Sequence, residues 1–310
     1  MIVHEQRPTW LRLIFSYRRT TLRNVRNRLG LVFFVSVLTT WLELEVAWLQ
    51  KYSLTALPFT LIGLTLGIVL GFRNNTSYDR FWEGRKLWGA LVNTSRTLAR
   101  ELMTVTRWPA DSELAGRKEL VYRVIGFVHA LRLHLRYAQD WRELEAFLPA
   151  SEVASAARES NPPNAILHRL AARLRELRDK DQVSEYAWVR LMASLSELSN
   201  IQGACERIRS TPIPHAYTVL IHQIVASYCF LLPFGVVAQV GVLTPVVVLV
   251  VSYTFFGLDD IGDELEEPFG LDVHDLPLDQ VSRNIEINLR ERLGETELPP
   301  PGVAQDGVLT

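Results

Sequence analysis

The chain has 310 residues, is 48% hydrophobic and 22% charged, and carries a formal net charge of −1. A balance so close to zero gives no basic footprint for a nucleic-acid partner. Only two cysteines occur, Cys205 in a polar helix and Cys229 in an apolar run, which excludes a disulfide framework or a cysteine metal site.

Membrane character lies in the distribution of residues rather than in the averages. Residues 1–28 form a basic, amphipathic segment with Arg7, Arg12, Arg18, Arg19, Arg23, Arg26 and Arg28. It has no small-residue cleavage pattern, and its positive stretch is too long for a signal peptide, so it is expected to be retained. Four apolar segments follow: 29–49, 54–72, 216–240 and 242–258. Each approaches the roughly 20 residues of a spanning helix, the fourth being the shortest. Glu43 and Glu45 lie past the midpoint of the first, where they reach the far headgroup region.

Orientation follows from the flanking charges. Arginines precede the first segment; Arg73, Arg80, Arg85 and Lys86 follow the second; Arg207 and Arg209 precede the third. The short connections carry only Lys51 in one case and no charge in the other. The positive-inside rule then places both termini and the middle of the chain in the cytoplasm, with the chain multi-pass in the cell's inner membrane. The expected organisation is a basic segment 1–28, a membrane hairpin 29–72, a cytosolic helical region 73–210, a second hairpin 211–258, an acidic segment with one helix 259–294, and a flexible tail 295–310.

The polar region reads as helical. Trp82, Leu87, Leu91, Leu98 and Leu102 recur at helical spacing over 77–106, as do Leu120, Val124, Val128, Leu131, Leu135 and Leu144 over 117–147. Further helices are expected over 164–178, 182–208 and 278–293. Strand-like alternation is absent, so the fold class is an all-α integral membrane protein, four transmembrane helices plus a cytosolic helical bundle. Pro109, Asn161-Pro162-Pro163 and Thr211-Pro212-Ile213-Pro214 mark breaks, the last at the start of the third span.

Two stripes run along the second span. Gly63, Gly67 and Gly71 repeat every fourth residue, and so do Leu64, Ile68 and Phe72. Residues four apart share a helix face, so small residues form one column and bulky ones its neighbour. Glycine columns allow close helix packing. A bulky column brought to an axis by several copies would form a dry constriction that gates by dewetting and has no charge preference. Lipid-facing or core packing is the bland alternative.

Polar clusters offer competing chemistry. Asn75, Asp79 and Glu83, with Asp259, Asp260 and Asp263, imitate the paired motifs that hold magnesium diphosphate in intramembrane prenyltransferases. Four spans cannot enclose that reaction, and Arg73, Arg80 and Arg85 interleave with the first set, so a magnesium-dependent prenyl- or phospholipid-processing enzyme is the minority reading. The acidic run 259–279 either pairs with the basic segments or places a cation-attracting field at a pore mouth. His129 and His134 lie five apart and share no face. His222, within the third span, is either functional or a packing residue near Tyr217 and Tyr228.

The blocks GFRNNTSYDRFWEGRKLWG (71–89), TPIPHAYTVLIHQ (211–223) and ELEEPFG (264–270) resemble the bestrophin family, especially its bacterial and plastid branch. The resemblance covers nearly the whole chain except the tail. It implies a homopentameric channel with one axial pore, partners limited to the lipid bilayer, its own copies and permeant monovalent ions, and no cofactor. It places a hydrophobic neck at Leu64, Ile68 and Phe72, and a second aperture near the start of the 182–208 helix, with Val183 and Tyr186 as candidates. Animal members follow their PFG with a calcium-clasping acidic run; here Pro268-Phe269-Gly270 leads to Asp272 and Asp275 alone, too few ligands for calcium. The family default is chloride and other anions, whereas the acidic run argues for cations; both remain open at this point.

Overall fold

The computed structural model describes residues 20–46, 55–302 and 304, all-helical with no strand among them. Arg7, Arg12, Arg18, Arg19 and Lys51 lie outside these residues. The helices are α1 (Thr21–Glu45), α2 (Ala56–Val105), α3 (Glu113–Leu135), α4 (Ala150–Ala156), α5 (Pro162–Asp179), α6 (Glu185–Ser210), α7 (His215–Val240), α8 (Thr244–Glu266) and α9 (Leu278–Arg292). Contacts group Trp82–Thr211 with the described residues from Pro268 onward as one compact unit, and the described residues from 20 to 81 with Pro212–Glu267 as another.

In the second of these units α1 packs along α7 and α8, and α7 pairs with α8. Its core joins Val25, Leu29 and Val32 of α1, Leu66 and Leu70 of α2, Ile221, Val225 and Cys229 of α7, and Val248 and Phe256 of α8. Three helical stretches are long and apolar enough to cross a membrane: Thr21–Glu45, Ala56–Val105 and His215–Glu266. The last is α7 and α8 joined by a 3-10 turn, Gly241–Leu243. Gly241 has φ +58°, a left-handed conformation that glycine adopts without a Cβ clash, and this ends α7. Thr244 then donates its hydroxyl to the Gly241 carbonyl at 2.6 Å, with Pro245 in the first turn of α8.

In the other unit α3 is the central helix, buried through Leu120, Val124, Phe127, Val128 and Leu131, with α5, α6 and α9 against it. Trp88, Leu91, Leu98 and Leu102 supply the apolar face of the second half of α2. Each such side chain gains about 1.5–3 kcal/mol on leaving water. Local chemistry fixes the helix starts. Asn161 accepts the Asn164 backbone N–H at 3.2 Å ahead of two prolines, and the Ser184 hydroxyl accepts that of Ala187 at 3.3 Å.

Several boundaries differ from the sequence reading. Residues 21–28 belong to α1 rather than to a separate basic segment. The change from apolar to charged residues near Phe72 does not break the chain, because α2 runs unbroken for 50 residues. Backbone hydrogen bonds are indifferent to side-chain polarity, and no proline or helix-ending glycine intervenes. The helix expected over 117–147 stops at Leu135, where Tyr137 takes a positive φ of 55°. The fourth apolar segment extends to Glu266, eight residues past its apolar limit at 258. Its added turns are held by side-chain bonds from α1 and α2.

Candidate functional site

The second span presents two faces. Leu66 and Leu70 are buried against α7, being 3% and 0% exposed. Leu64, Ile68 and Phe72 point away from the chain, at 66%, 53% and 66% exposure. A two-residue offset on a helix is a rotation of about 200°, so burying one row necessarily turns the other outward. The chain itself covers the inner row and leaves the outer row without a partner.

The glycines divide. A Cβ at Gly63 would meet the Tyr228 hydroxyl at 2.6 Å, so that glycine permits close approach of α2 and α7. At Gly67 and Gly71 nothing lies within 4 Å, and both are exposed beside the bulky row. Among the described residues neither meets a packing partner.

Immediately after Phe72 the outward apolar row meets a buried charge. Arg73 has 0% side-chain exposure; its Nη1 donates to Asp259 Oδ1 at 2.7 Å, and its Nη2 pairs with Asp263. His222 Nδ1 lies 2.6 Å from the other oxygen of Asp259, and its Nε2 lies 3.5 Å from Asp263. Arg28 approaches Asp259 at 3.9 Å. Asn24 donates to Asp260 and to Glu264, both at 3.0 Å, and Asn74 donates to the Leu258 carbonyl at 3.0 Å. Four helices therefore meet through polar groups, α1 and α7 from either side and α2 against α8. Gly262 makes the approach possible, because a Cβ there would meet Asn74 Oδ1 at 2.6 Å.

This cluster bears on the start of the acidic run and on His222. Pairing with arginines and asparagines is what occupies Asp259, Asp260 and Asp263. His222 engages Asp259 rather than Tyr217 or Tyr228. The ligand atoms of His222, Asp259 and Asp263 lie within 4.8 Å of one another, a spacing that a metal ion could use. The Arg73 guanidinium already occupies both carboxylates and would repel a second cation, so the donor set fits an ion-pair network better than a metal. Glu83 pairs with Arg207 at 2.5 Å, and Asn75 and Asp79 are exposed.

The other candidates separate by burial. Val183 is 2% exposed and sits in the core, which leaves it unable to line an opening; Tyr186, one turn on, is 93% exposed. Asp272 is exposed, whereas Asp275 is buried and accepts the Asp272 backbone N–H at 2.6 Å. Burial pushes the Asp275 carboxyl up to about 6, against the lowering effect of that hydrogen bond. The two acids thus close a turn on each other and do not converge on a common ligand position. His129 lies buried between Glu286 at 3.3 Å and Glu143 at 3.5 Å, stacked on Phe147; His134 lies 3.4 Å from Glu206. The two histidines share no partner.

Sequence reasoning missed Asn24, Asn74 and Gly262. A usable signal was present: Asn24/Arg28, Asp259/Asp263 and Asp260/Glu264 are each four apart, so each pair shares a helix face.

A family model described as Bacterial/Fungal Bestrophin protein matches residues 1–291. A voltage-dependent anion channel-forming protein of Ralstonia nicotianae is 37% identical over 301 residues, covering 97% of both chains. The voltage-dependent anion channel-forming protein YneE of Escherichia coli K12 is 36% identical, covering 96% of each. The crystal structure of a bacterial bestrophin homolog from Klebsiella pneumoniae superposes with a TM-score of 0.82 at 34% identity, over 88% of this chain and 100% of that one. With the fold and the sequence match agreeing along almost the whole chain, this protein belongs to the bacterial and fungal bestrophin family.

Proposed function

We propose that the chain is one subunit of a bestrophin-type anion channel, a homopentamer with a single axial pore. The observation that carries this reading is the row Leu64, Ile68 and Phe72, which is apolar, exposed, and backed by a buried row on the same membrane-length helix. One chain cannot enclose a path with a single stripe. A closed ring of identical copies around an axis places five such stripes face to face. Three apolar rings in series form a neck whose hydration sets conduction. Tyr186 is the side chain proposed for the second aperture. Four spans, with both termini and the middle region in the cytoplasm, complete the arrangement.

Anion preference is drawn from the relatives' names, and Arg73 offsets part of the acidic run. Carboxylates proposed to attract cations at a mouth must be free to project a field. Asp259 and Asp263 instead share Arg73, which offsets one of their two charges, and Asp260 and Glu264 take hydrogen bonds from the Asn24 amide. The same pairing removes the site that a magnesium-dependent enzyme would use. Passive permeation requires no cofactor and no catalytic residue.

The test is a reversal potential for the purified full-length protein in planar bilayers under a potassium chloride gradient. A reversal near the chloride equilibrium potential is expected. A reversal near the potassium value would overturn the selectivity, and absence of current from correctly assembled protein would overturn the channel.

A further inference from the structure

Many arginines in the unit that contains α3 are paired with a carboxylate. Arg123 sits against Glu152, Arg132 against Asp279, Arg173 against Glu119, Arg190 against Glu101 and Arg290 against Glu295. Several arginines of the unit have no such partner, and three of them line one cavity. Arg96 and Arg100 project from the second half of α2 and Arg292 from the end of α9, around a space of about 630 Å³. None has a carboxylate within ion-pair distance among the described residues. Arg96 is oriented by a hydrogen bond to the Asn288 side chain, which turns its guanidinium along the wall. Glu291 is the one acid lining the space, so the cavity carries a formal excess of positive charge.

The floor has a different character. Ala99 and Leu289 are each 1% exposed and Met103 is half-buried, so the arginines stand above an apolar base. A volume of this size lies within the range of small-molecule sites. Guanidinium forks match phosphate oxygens two at a time, and three forks around one space select a ligand with several phosphate oxygens over a simple halide. Three arginines with a single acid around one space leave a positive field that favours an anionic ligand.

We propose that this cavity is a binding site for a soluble, multiply phosphorylated small molecule, with its phosphates on Arg96, Arg100 and Arg292 and its organic body over Met103 and Leu289. The site is separate from the apolar row of the second span and does not depend on the conduction reading.

Calorimetric titration of the full-length protein in neutral, phospholipid-free detergent micelles, with sodium tripolyphosphate as probe at about 0.15 M ionic strength, tests it. Saturable binding at one site per chain is expected, weakened about tenfold or more in R100A/R292A. The variant R100K/R292K keeps the charge and loses the fork, so it should fall between the two. Both replaced side chains are exposed and unpaired, and an unchanged thermal transition verifies that the variants fold. No saturable heat, equal affinity in R100A/R292A, or sulfate binding as tightly as tripolyphosphate would each overturn the proposal. Binding that appears only when anionic phospholipid is added would assign the phosphate chemistry to a lipid headgroup and overturn the soluble ligand.

Discussion

Arg73 and Asp259 form an ion pair at 2.7 Å with 0% and 1% of their side chains exposed, one residue beyond the apolar row that ends at Phe72. Such a pair contributes less through its own attraction than through the penalty for separating it, since a lone buried charge has no solvent to turn to.

Asp259→Ala removes the shared partner of Arg73 and His222. We expect it to lower unfolding stability by roughly 3–5 kcal/mol. Asp263→Ala, at a side chain 41% exposed, should cost much less. Unfolding titrations in mixed micelles give the comparison; equal losses at the two positions would refute the buried-pair account.

Ile68 occupies the middle of the outward apolar row. Replacing it with alanine widens the proposed neck and makes it easier to wet, so single-channel conductance or open probability should rise severalfold. Planar-bilayer recording checks this. Unchanged currents from an assembled Ile68→Ala protein would remove the neck from this row.

Asp275 has its carboxyl raised by burial from the ordinary 3.8 to about 6. Between those values the folded chain holds a proton that the unfolded chain has released. Stability therefore falls as pH rises through this window, and the full penalty is present above pH 6. Asp275→Asn keeps an acceptor for the Asp272 N–H without the charge. It should stabilise the protein at pH 7.5 by on the order of 2–3 kcal/mol, with the difference vanishing below pH 4. Thermal denaturation of both proteins across that range provides the measurement.

Glu295 behaves in the opposite sense. Burial alone would raise its carboxyl, but hydrogen bonds from Lys118 at 2.8 Å, Arg290 at 2.7 Å and Tyr122 at 2.8 Å hold it down at about 2. Its contribution is complete above the ordinary value near 4.5 and is lost as pH falls toward 2. Glu295→Gln should cost about 2 kcal/mol at neutral pH and expose the chain after α9 to protease. Limited proteolysis with intact-mass analysis reads this directly; equal cleavage rates would show that the contacts do not anchor the segment.

Much of this architecture was legible from patterns of period 3.6. The Leu64/Ile68/Phe72 row stands out on spacing alone, and Leu120 to Leu135 announces the core helix of its unit, whereas the buried Leu66/Leu70 row appears only in the packing. Other features depended on residues far apart in sequence. Glu295 looked like the start of a flexible tail because its three partners are a basic and an aromatic residue on α3 and one arginine on α9. Val183 and Tyr186 were equivalent by resemblance, and only burial distinguishes them. The length of α8 was underestimated because its charged last turns read as the end of an apolar segment, whereas Arg73 and Asn24 meet those charges. Arginine spacing at 96, 100 and 292 carried no visible sign of a shared cavity.

The distance in sequence between Arg73 and Asp259, 186 residues, has a consequence for biosynthesis. At about 5–20 residues per second the ribosome needs roughly ten to forty seconds to deliver the carboxylate after the guanidinium has emerged. Through that interval Arg73 has neither Asp259 nor Asp263 to receive it, and its charge needs water or headgroups for solvation. The buried position of Arg73 is therefore complete only once α8 has been made. The buried arginine thus ties the packing of α2 to the completion of α8.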